Sequence, residues 1–299
     1  QHHHAHIVSA LAENGITQAA LGFAFDGTGY GADGAIWGGE ALLCNTVAFE
    51  RFANFAYVPM PGGAAAVKNP LRMAYGVLWE YDLLEHPAAQ AALAPLGDAT
   101  KLFDQMIEGG INTPHTSSVG RLFDAASALL GICPQPAYES EGAVLLEAAA
   151  ARAAVTPGHS EEGAADERYS IAIQKNVATE GSTAQDTSVL IFDAAPTFAA
   201  LLDDMQTGVC ADEIALRFHN AFVELIVNAS QLFRALYDIP VVALSGGVFL
   251  NRFLMEHAVP ALVDAGFTVA LNREVPPSDG CISLGQAVIA CATSKQMAE

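Results

Sequence analysis

Ala19-Ala20-Leu21-Gly22-Phe23-Ala24-Phe25-Asp26-Gly27-Thr28-Gly29-Tyr30-Gly31 is the stretch from which the fold can be read. Ala19 to Phe25 has the length and composition of a buried strand. It runs into a carboxylate and a series of glycines, and a second strand at about Ala35 to Asn45 makes residues 26 to 34 the turn of a hairpin. Gly27, Gly29 and Gly31 let the backbone approach a ligand closely and aim N–H groups at phosphate or carbonyl oxygens, while the Asp26 carboxylate can hold a cation. An ordinary glycine-rich hairpin turn is the plain alternative. The continuation of the pattern to Trp37-Gly38-Gly39-Glu40 favours a functional segment.

Upstream lies Gln1-His2-His3-His4-Ala5-His6, followed by Ile7-Val8-Ser9-Ala10-Leu11-Ala12-Glu13-Asn14-Gly15. In a helix, His2 and His6 stand one turn apart on one face, with His3 and His4 pointing elsewhere. Two neutral imidazoles suit Zn²⁺ or Fe²⁺, and carboxylates from elsewhere would complete the shell with a position left for substrate. The alternative is an expression tag or a set of surface histidines. Ala5 interrupts the run, Ile7, Ala10 and Leu11 continue an apolar stripe, and Gly15 supplies a stop.

Downstream, Pro70 opens a helix expected to reach about Leu84, and hydroxyls at Thr116 to Ser118 cap another at about 118 to 130. Asp124 falls on a face of Phe, Ala and Leu, so it needs a partner, either a nucleotide ribose or Arg121. Residues 87 to 98 are alanine-rich and uninformative. A further alanine-rich helix is expected from Tyr138 to about Ala154, and Thr156 to Glu167, with a solvated His159, reads as a surface loop. A strand near Ile171 to Lys175 and helices near 197–205 and 211–236 follow. His219 lies in the long helix and reads as a satisfied structural histidine. Val241 to Leu244 is a buried strand that Ser245-Gly246-Gly247-Val248 turns toward a helix near Phe249, an arrangement in which phosphate meets backbone N–H groups and the positive end of a helix dipole. After a last strand at Thr268 to Leu271, Asp279 stands on a glycine turn before a helix from about Ile282, where its carboxylate can complete the metal shell. Strands alternating with helices, with ligand-type turns at strand ends, indicate an α/β fold with its site in a cleft.

The chain has 299 residues, 52% of them hydrophobic, so it can bury a large core in one bilobal unit or two domains. Its formal net charge of -20 argues against a broad phosphate-binding surface and hence against nucleic acid. No apolar run approaches the ~20 residues of a membrane helix, so no membrane partner is expected. Cys44, Cys133, Cys210, Cys281 and Cys291 are scattered and lack any C-x-x-C pair, which fits a reducing cytoplasm. Each reads as a small buried apolar residue, because no histidine or basic residue is visibly placed to lower its pKa.

Six blocks now coincide with one family. The histidine block at 1–6, Asp26-Gly-Thr-Gly-Tyr-Gly31, Trp37-Gly-Gly-Glu40, Thr116-Ser-Ser-Val-Gly-Arg-Leu-Phe-Asp124, Leu244-Ser-Gly-Gly-Val-Phe-Leu-Asn251 and Ser278-Asp-Gly-Cys-Ile-Ser-Leu-Gly-Gln286 resemble, in order, the C-terminal domain of the HypF carbamoyltransferases, the maturation factors of NiFe hydrogenases. The resemblance implies the actin-like ATPase and sugar-kinase fold, with two ribonuclease-H-like lobes around a nucleotide cleft, as in the tRNA threonylcarbamoyl transferases. Residues 1–115 would be the remainder of an N-terminal lobe and 116–299 the C-terminal lobe, its last helix packing back on the first. His2, His6, Asp26 and Asp279 match the family's metal positions, for Fe²⁺ or Zn²⁺, and His2, His6 and Asp26 are the expected catalytic set. Asp124 matches a ribose contact, and Gly246, Gly247 and Asn251 match the loop beside the nucleotide; Gly27 and Gly29 join them as expected nucleotide-binding residues.

The implied reaction passes a carbamoyl group from carbamoyl-adenylate, made from carbamoyl phosphate and ATP by an upstream domain, to the C-terminal cysteine of HypE. O-carbamoylation of a small hydroxylated molecule and an inactive nucleotide-binding module are the alternatives. Two departures stand out: Cys281 replaces a usual glycine, and Tyr138-Glu-Ser-Glu-Gly-Ala143 replaces the family's Tyr-Glu-Gly-Gln-Ala-Ala run. The family's upstream domains are not recognisable here, so the chain is expected to be a fragment with an incomplete first lobe.

Overall fold

The computed structural model describes residues 1–155, 169–176 and 190–298. The elements in chain order are α1 (His2–Glu13), the strands β1 (Ala20–Tyr30), β2 (Ile36–Cys44), β3 (Phe49–Phe55) and β4 (Val58–Pro59), then α2 (Ala64–Lys68), α3 (Pro70–Glu80), α4 (Pro87–Leu93) and α5 (Ala99–Glu108). They continue with β5 (His115–Thr116), α6 (Val119–Leu129), α7 (Glu141–Ala154), β6 (Ala172–Lys175), β7 (Leu190–Asp193), α8 (Ala195–Thr207) and α9 (Ala211–Tyr237). The last group is β8 (Val241–Ser245), a 3₁₀ turn over Gly247–Leu250, α10 (Arg252–Asp264), β9 (Thr268–Leu271), a 3₁₀ turn over Asp279–Cys281, and α11 (Ile282–Ala298).

One mixed sheet with the order β6-β7-β3-β2-β1-β8-β9 organises these elements, with β4 and β5 attached beside β2. β1 is antiparallel to β2 and parallel to β8, which is parallel to β9, so β3-β2-β1-β8-β9 forms the ribonuclease-H-like sheet. Strands from both sides of residue 115 share this sheet. β1 reads as an unbroken apolar run because it is central and covered on both faces. Leu21, Phe23 and Phe25 point into a large aromatic core with Phe55, Phe192 and Phe222. Ala20 and Ala24, on the alternate face, pack under Ile7 and Leu11 of α1. Gly22 belongs to that second face: a Cβ there would lie 2.5 Å from Ile7 Cγ1, so the missing side chain is what lets α1 sit close.

The hairpin differs from the sequence expectation in one respect that bears on the site. Residues 26 to 30 are not the turn; they extend β1, and the pairing with β2 shifts between Phe25 and Gly29 as a bulge. The turn itself spans residues 31 to 35, closed by Gly31 N–H donating to Ala35 O at 3.0 Å. An irregularity of this kind bends the strand and re-aims the side chains beside it, here Asp26. The alanine-rich stretch 87 to 98 contains α4, and β3 and β7 were not foreseen. The helix from Pro70 ends at Glu80 rather than Leu84, and α7 starts at Glu141. The expected surface loop from Thr156 to Glu167, including His159, lies outside the described residues.

Candidate metal centre and adjoining cavity

Gln1 caps α1 by accepting the His4 N–H at 2.9 Å, so the helix starts at His2 and projects His2 and His6 from one face. Their Nε2 atoms lie 3.3 Å apart, and each faces Asp26 Oδ2, at 3.1 Å from His2 and 3.3 Å from His6. Asp279, at the start of the turn leading into α11, brings Oδ1 to 3.5 Å from both imidazoles. One ligand atom from each of the four residues falls within 4.8 Å of all the others. A tetrahedral Zn²⁺ with bonds of 2.0–2.1 Å needs ligand atoms about 3.3 Å apart, and the five imidazole and carboxylate separations bracket that edge. Two imidazoles and two carboxylates are also a donor set suited to Zn²⁺ or Fe²⁺. His2, His6, Asp26 and Asp279 therefore fit a divalent cation.

The electrostatics of the cation-free protein fit the same reading. Burial would raise the Asp26 pKa, but the imidazoles of His2 and His6 and the Gly27 N–H hold it well below the usual carboxylate range. Burial opposes charge on His6, yet Asp26 and the Cys281 sulfur outweigh it and lift His6 to about 9. A cation at Nε2 would therefore compete with a proton. The other two histidines are fixed elsewhere. His4 Nε2 meets Asn45 O at 2.8 Å, tying α1 to the β2–β3 turn. His3, fully buried, presents Nε2 at 3.7 Å from Glu40, and burial keeps it neutral.

Asp26 and Asp279 also line a cavity of about 450 Å³ whose wall includes Gly27, Arg121, Asp124, Gly247 and Asn251. Asp26 Oδ1 accepts N–H groups from Gly27 at 2.8 Å and Gly247 at 3.2 Å, so this carboxylate joins the cavity to the imidazole pair. Asp124 pairs with Arg121 Nη2 at 3.1 Å. Burial pushes its pKa up to about 6 despite the Arg121 charge, with Glu139 adding to the rise. Arg121 is 1% exposed, and its Nε and Nη1 have no hydrogen-bond partner. Unsatisfied guanidinium donors in a cavity wall call for an anion.

Two predicted glycines do not line this cavity. At Gly29 a Cβ would lie 2.2 Å from His3 Cε1 and 2.9 Å from His2 Cδ2, so the residue makes room for the imidazoles. Gly246 has φ +108°, and a Cβ there would lie 2.2 Å from Phe25 O, so it seats the β8 loop against β1. His219 is fully buried: Nδ1 donates to Ala215 O at 2.7 Å, and Nε2 accepts from Asn251 Nδ2 at 3.0 Å. It is satisfied, as expected, and it also orients a cavity residue.

Sequence reasoning missed Glu139, Ser140 and Glu147 from α7 and the segment leading into it, which also line the cavity. It also treated Cys281 as inert, whereas the Sγ stands 3.2 Å from His6 Nδ1. Burial alone would raise that thiol's pKa, but hydrogen bonds with His6 and Ser9 outweigh it and lower the value. Cys210 and Cys291 are exposed rather than buried. The position of Cys281, two residues after Asp279 on one turn, was the available clue.

No helix among the described residues is long and apolar enough to cross a membrane. Residues 22–286 match the family described as the carbamoyltransferase, Kae1-like domain, second subdomain. The carbamoyltransferase HypF2 of Cupriavidus necator is 33% identical over 292 residues, which cover 97% of this chain and 36% of that protein. A HypF homolog from the same organism is 32% identical over 290 residues, covering 97% of this chain and 70% of its own length. A crystal structure of full-length HypF in its phosphate- and nucleotide-bound form superposes with a TM-score of 0.83 at 33% identity, over 97% of this chain and 42% of that one. The chain thus spans little more than a third of HypF2, and on the family match and these relatives it belongs to the HypF carbamoyltransferase family, within which residues 22–286 correspond to the second subdomain of the Kae1-like domain.

Proposed function

We propose that this domain transfers a carbamoyl group from carbamoyl-adenylate to the C-terminal cysteine thiol of a HypE-like acceptor protein, in the synthesis of cyanide ligands for NiFe hydrogenases. The observation that carries the reading is the convergence of His2, His6, Asp26 and Asp279 on one point at the edge of a cavity walled by Arg121 and Asp124. In this reading Asp124 accepts ribose hydroxyls of the adenylate. Arg121 stays paired to Asp124 and offers its remaining donors to the anionic part of the nucleotide. Gly27 and Gly247 admit the ligand close to the backbone, and Asn251, held by His219, adds a polar contact from the same loop.

His2, His6, Asp26 and Asp279 would hold Zn²⁺ or Fe²⁺, which when bound supplies Lewis-acid polarisation and counter-charge beside the reacting centre. The acceptor brings its own sulfur: its thiolate forms a C–S bond to the carbamoyl carbon, the C–O bond to phosphate breaks, and AMP leaves with the electron pair. No serine or cysteine of this chain serves as nucleophile. The domain would work beside an upstream adenylate-forming domain of a longer protein, in the cytoplasm.

Replacing His2 or His6 with alanine in the complete protein, and measuring both bound metal and carbamoyl transfer from pre-formed carbamoyl-adenylate, tests this. Loss of metal together with loss of transfer is expected. Undiminished transfer without metal overturns the reading.

A further inference from the structure

The turn that carries Asp279 also carries a sulfur outside the cation tetrad. Cys281 is fully buried, and its Sγ approaches Nδ1 of His6, the ring nitrogen opposite the one that faces Asp26 and Asp279. A ligating imidazole presents a free lone pair to the metal, so its proton must sit on the other nitrogen and find an acceptor there. Sulfur at 3.2 Å is within reach of that role. The thiol hydrogen has an acceptor of its own in Pro277 O at 3.8 Å, which leaves a sulfur lone pair for Nδ1–H.

The sulfur is also held in place. Ser245 Oγ lies 3.9 Å from it and donates to Asn272 Oδ1 at 2.7 Å. Asn272 Nδ2 in turn donates to Ser9 Oγ on α1 at 2.9 Å. A chain of polar side chains from β8 back to the histidine helix thus fixes the position of the sulfur relative to the ring it serves.

We propose that Cys281 is a positioning residue of the cation site: its sulfur accepts the Nδ1 proton of His6 and so fixes the tautomer whose Nε2 lone pair faces Asp26 and Asp279. This rests on the reading of the tetrad as a cation site. The experiment compares the purified wild-type chain with Cys281→Ala and Cys281→Ser. Zn²⁺ affinity is measured by chelator competition, Co²⁺ complexes by absorption, and the His6 tautomer by ¹⁵N spectra of the cation-free chain at alkaline pH, where the ring is neutral.

Cys281→Ala is expected to weaken Zn²⁺ binding by about 10- to 100-fold, the usual effect of removing an outer partner of a ligand. Cys281→Ser, whose hydroxyl accepts the same proton, should restore binding to within a few-fold, and the Nδ1–H signal should weaken in the alanine variant alone. Unchanged affinity with an unchanged tautomer in Cys281→Ala overturns the proposal. So does a sulfur-to-cobalt charge-transfer band in the wild type, which would make the sulfur a direct ligand. A wild type that binds neither ion defeats the cation reading itself, and the ¹⁵N spectra then still decide the hydrogen bond: an Nε2–H tautomer refutes it.

Discussion

Replacing Gly285 with alanine puts the seam between α1 and α11 under a defined stress. A Cβ at this position would stand 1.9 Å from Ala5 O and 2.6 Å from Ala5 C, against an ordinary contact beginning at 3.4 Å. The obstacle is backbone, so no rotamer change relieves it and the helices must part by about 1.5 Å. Ala5 lies between His2 and His6, and α11 follows the short turn that begins at Asp279, so whichever helix yields, the gap opens between the imidazoles and Asp279. Metal bonds tolerate displacements of about 0.2 Å, and Asp279 should therefore drop out of the shell. Overpacking of this kind typically costs about 1–3 kcal/mol, or several degrees of melting temperature in a chain of this size.

The assay is calorimetric melting and Zn²⁺ competition on Gly285→Ala, Asp279→Ala and the double variant. Both single variants should lose affinity to a similar extent, and the double variant should lose little more, because the two changes remove the same contact. Gly22→Ala is the contrasting case: its Cβ would meet the side chain of Ile7 at 2.5 Å, so Ile7→Ala should relieve the clash and restore binding. Wild-type melting and wild-type affinity in Gly285→Ala would refute the reasoning.

The buried histidine that holds Asn251 should contribute to acid stability. His219 is held near 4 by burial, against 6.5 for a free imidazole, so the unfolded chain binds more protons between these values and stability falls as pH drops through that window. At pH about 4.5 the loss is about 2–3 kcal/mol, and His219→Gln should flatten this part of a denaturation profile measured at several pH values. Arg51 forms an ion pair with fully buried Glu40 at 2.9 Å, so Arg51→Met should destabilise by about 3–5 kcal/mol in urea unfolding, with Glu40→Gln added alongside recovering part of the loss.

Much of the sheet was legible because β1, β8 and β9 are apolar runs bounded by glycine, proline or polar residues, and their periodicity needs no tertiary information. The helical spacing of His2 and His6 was equally local. By contrast, β3 carries Arg51 and Asn54 among its aromatics, and they look solvated until Glu40 and the neighbouring backbone are placed around them. The glycines from 27 to 31 were read as a turn because glycine marks turns more often than strands. Gly29 instead clears space for the imidazoles of α1, a contact across some 25 residues that no local pattern encodes, while Gly27 faces Arg121 and Gly31 does stand in the turn, against Trp37. The partner of Cys281 is 275 positions away, so only its place two residues after Asp279 hinted at a role in the site.

One carboxylate belongs to two sites at once. Asp26 turns Oδ2 toward His2 and His6 and Oδ1 toward the N–H groups of Gly27 and Gly247. Whatever enters the cavity and shifts the Gly247 loop alters the electron density available at the other oxygen, and a cation there alters how firmly the loop is held. Cation and nucleotide affinities should then depend on each other by one and the same factor, whichever is titrated first. Titrating Zn²⁺ with and without AMP, and AMP with and without Zn²⁺, measures that factor twice; a value of one in both directions would mean that the shared aspartate transmits nothing.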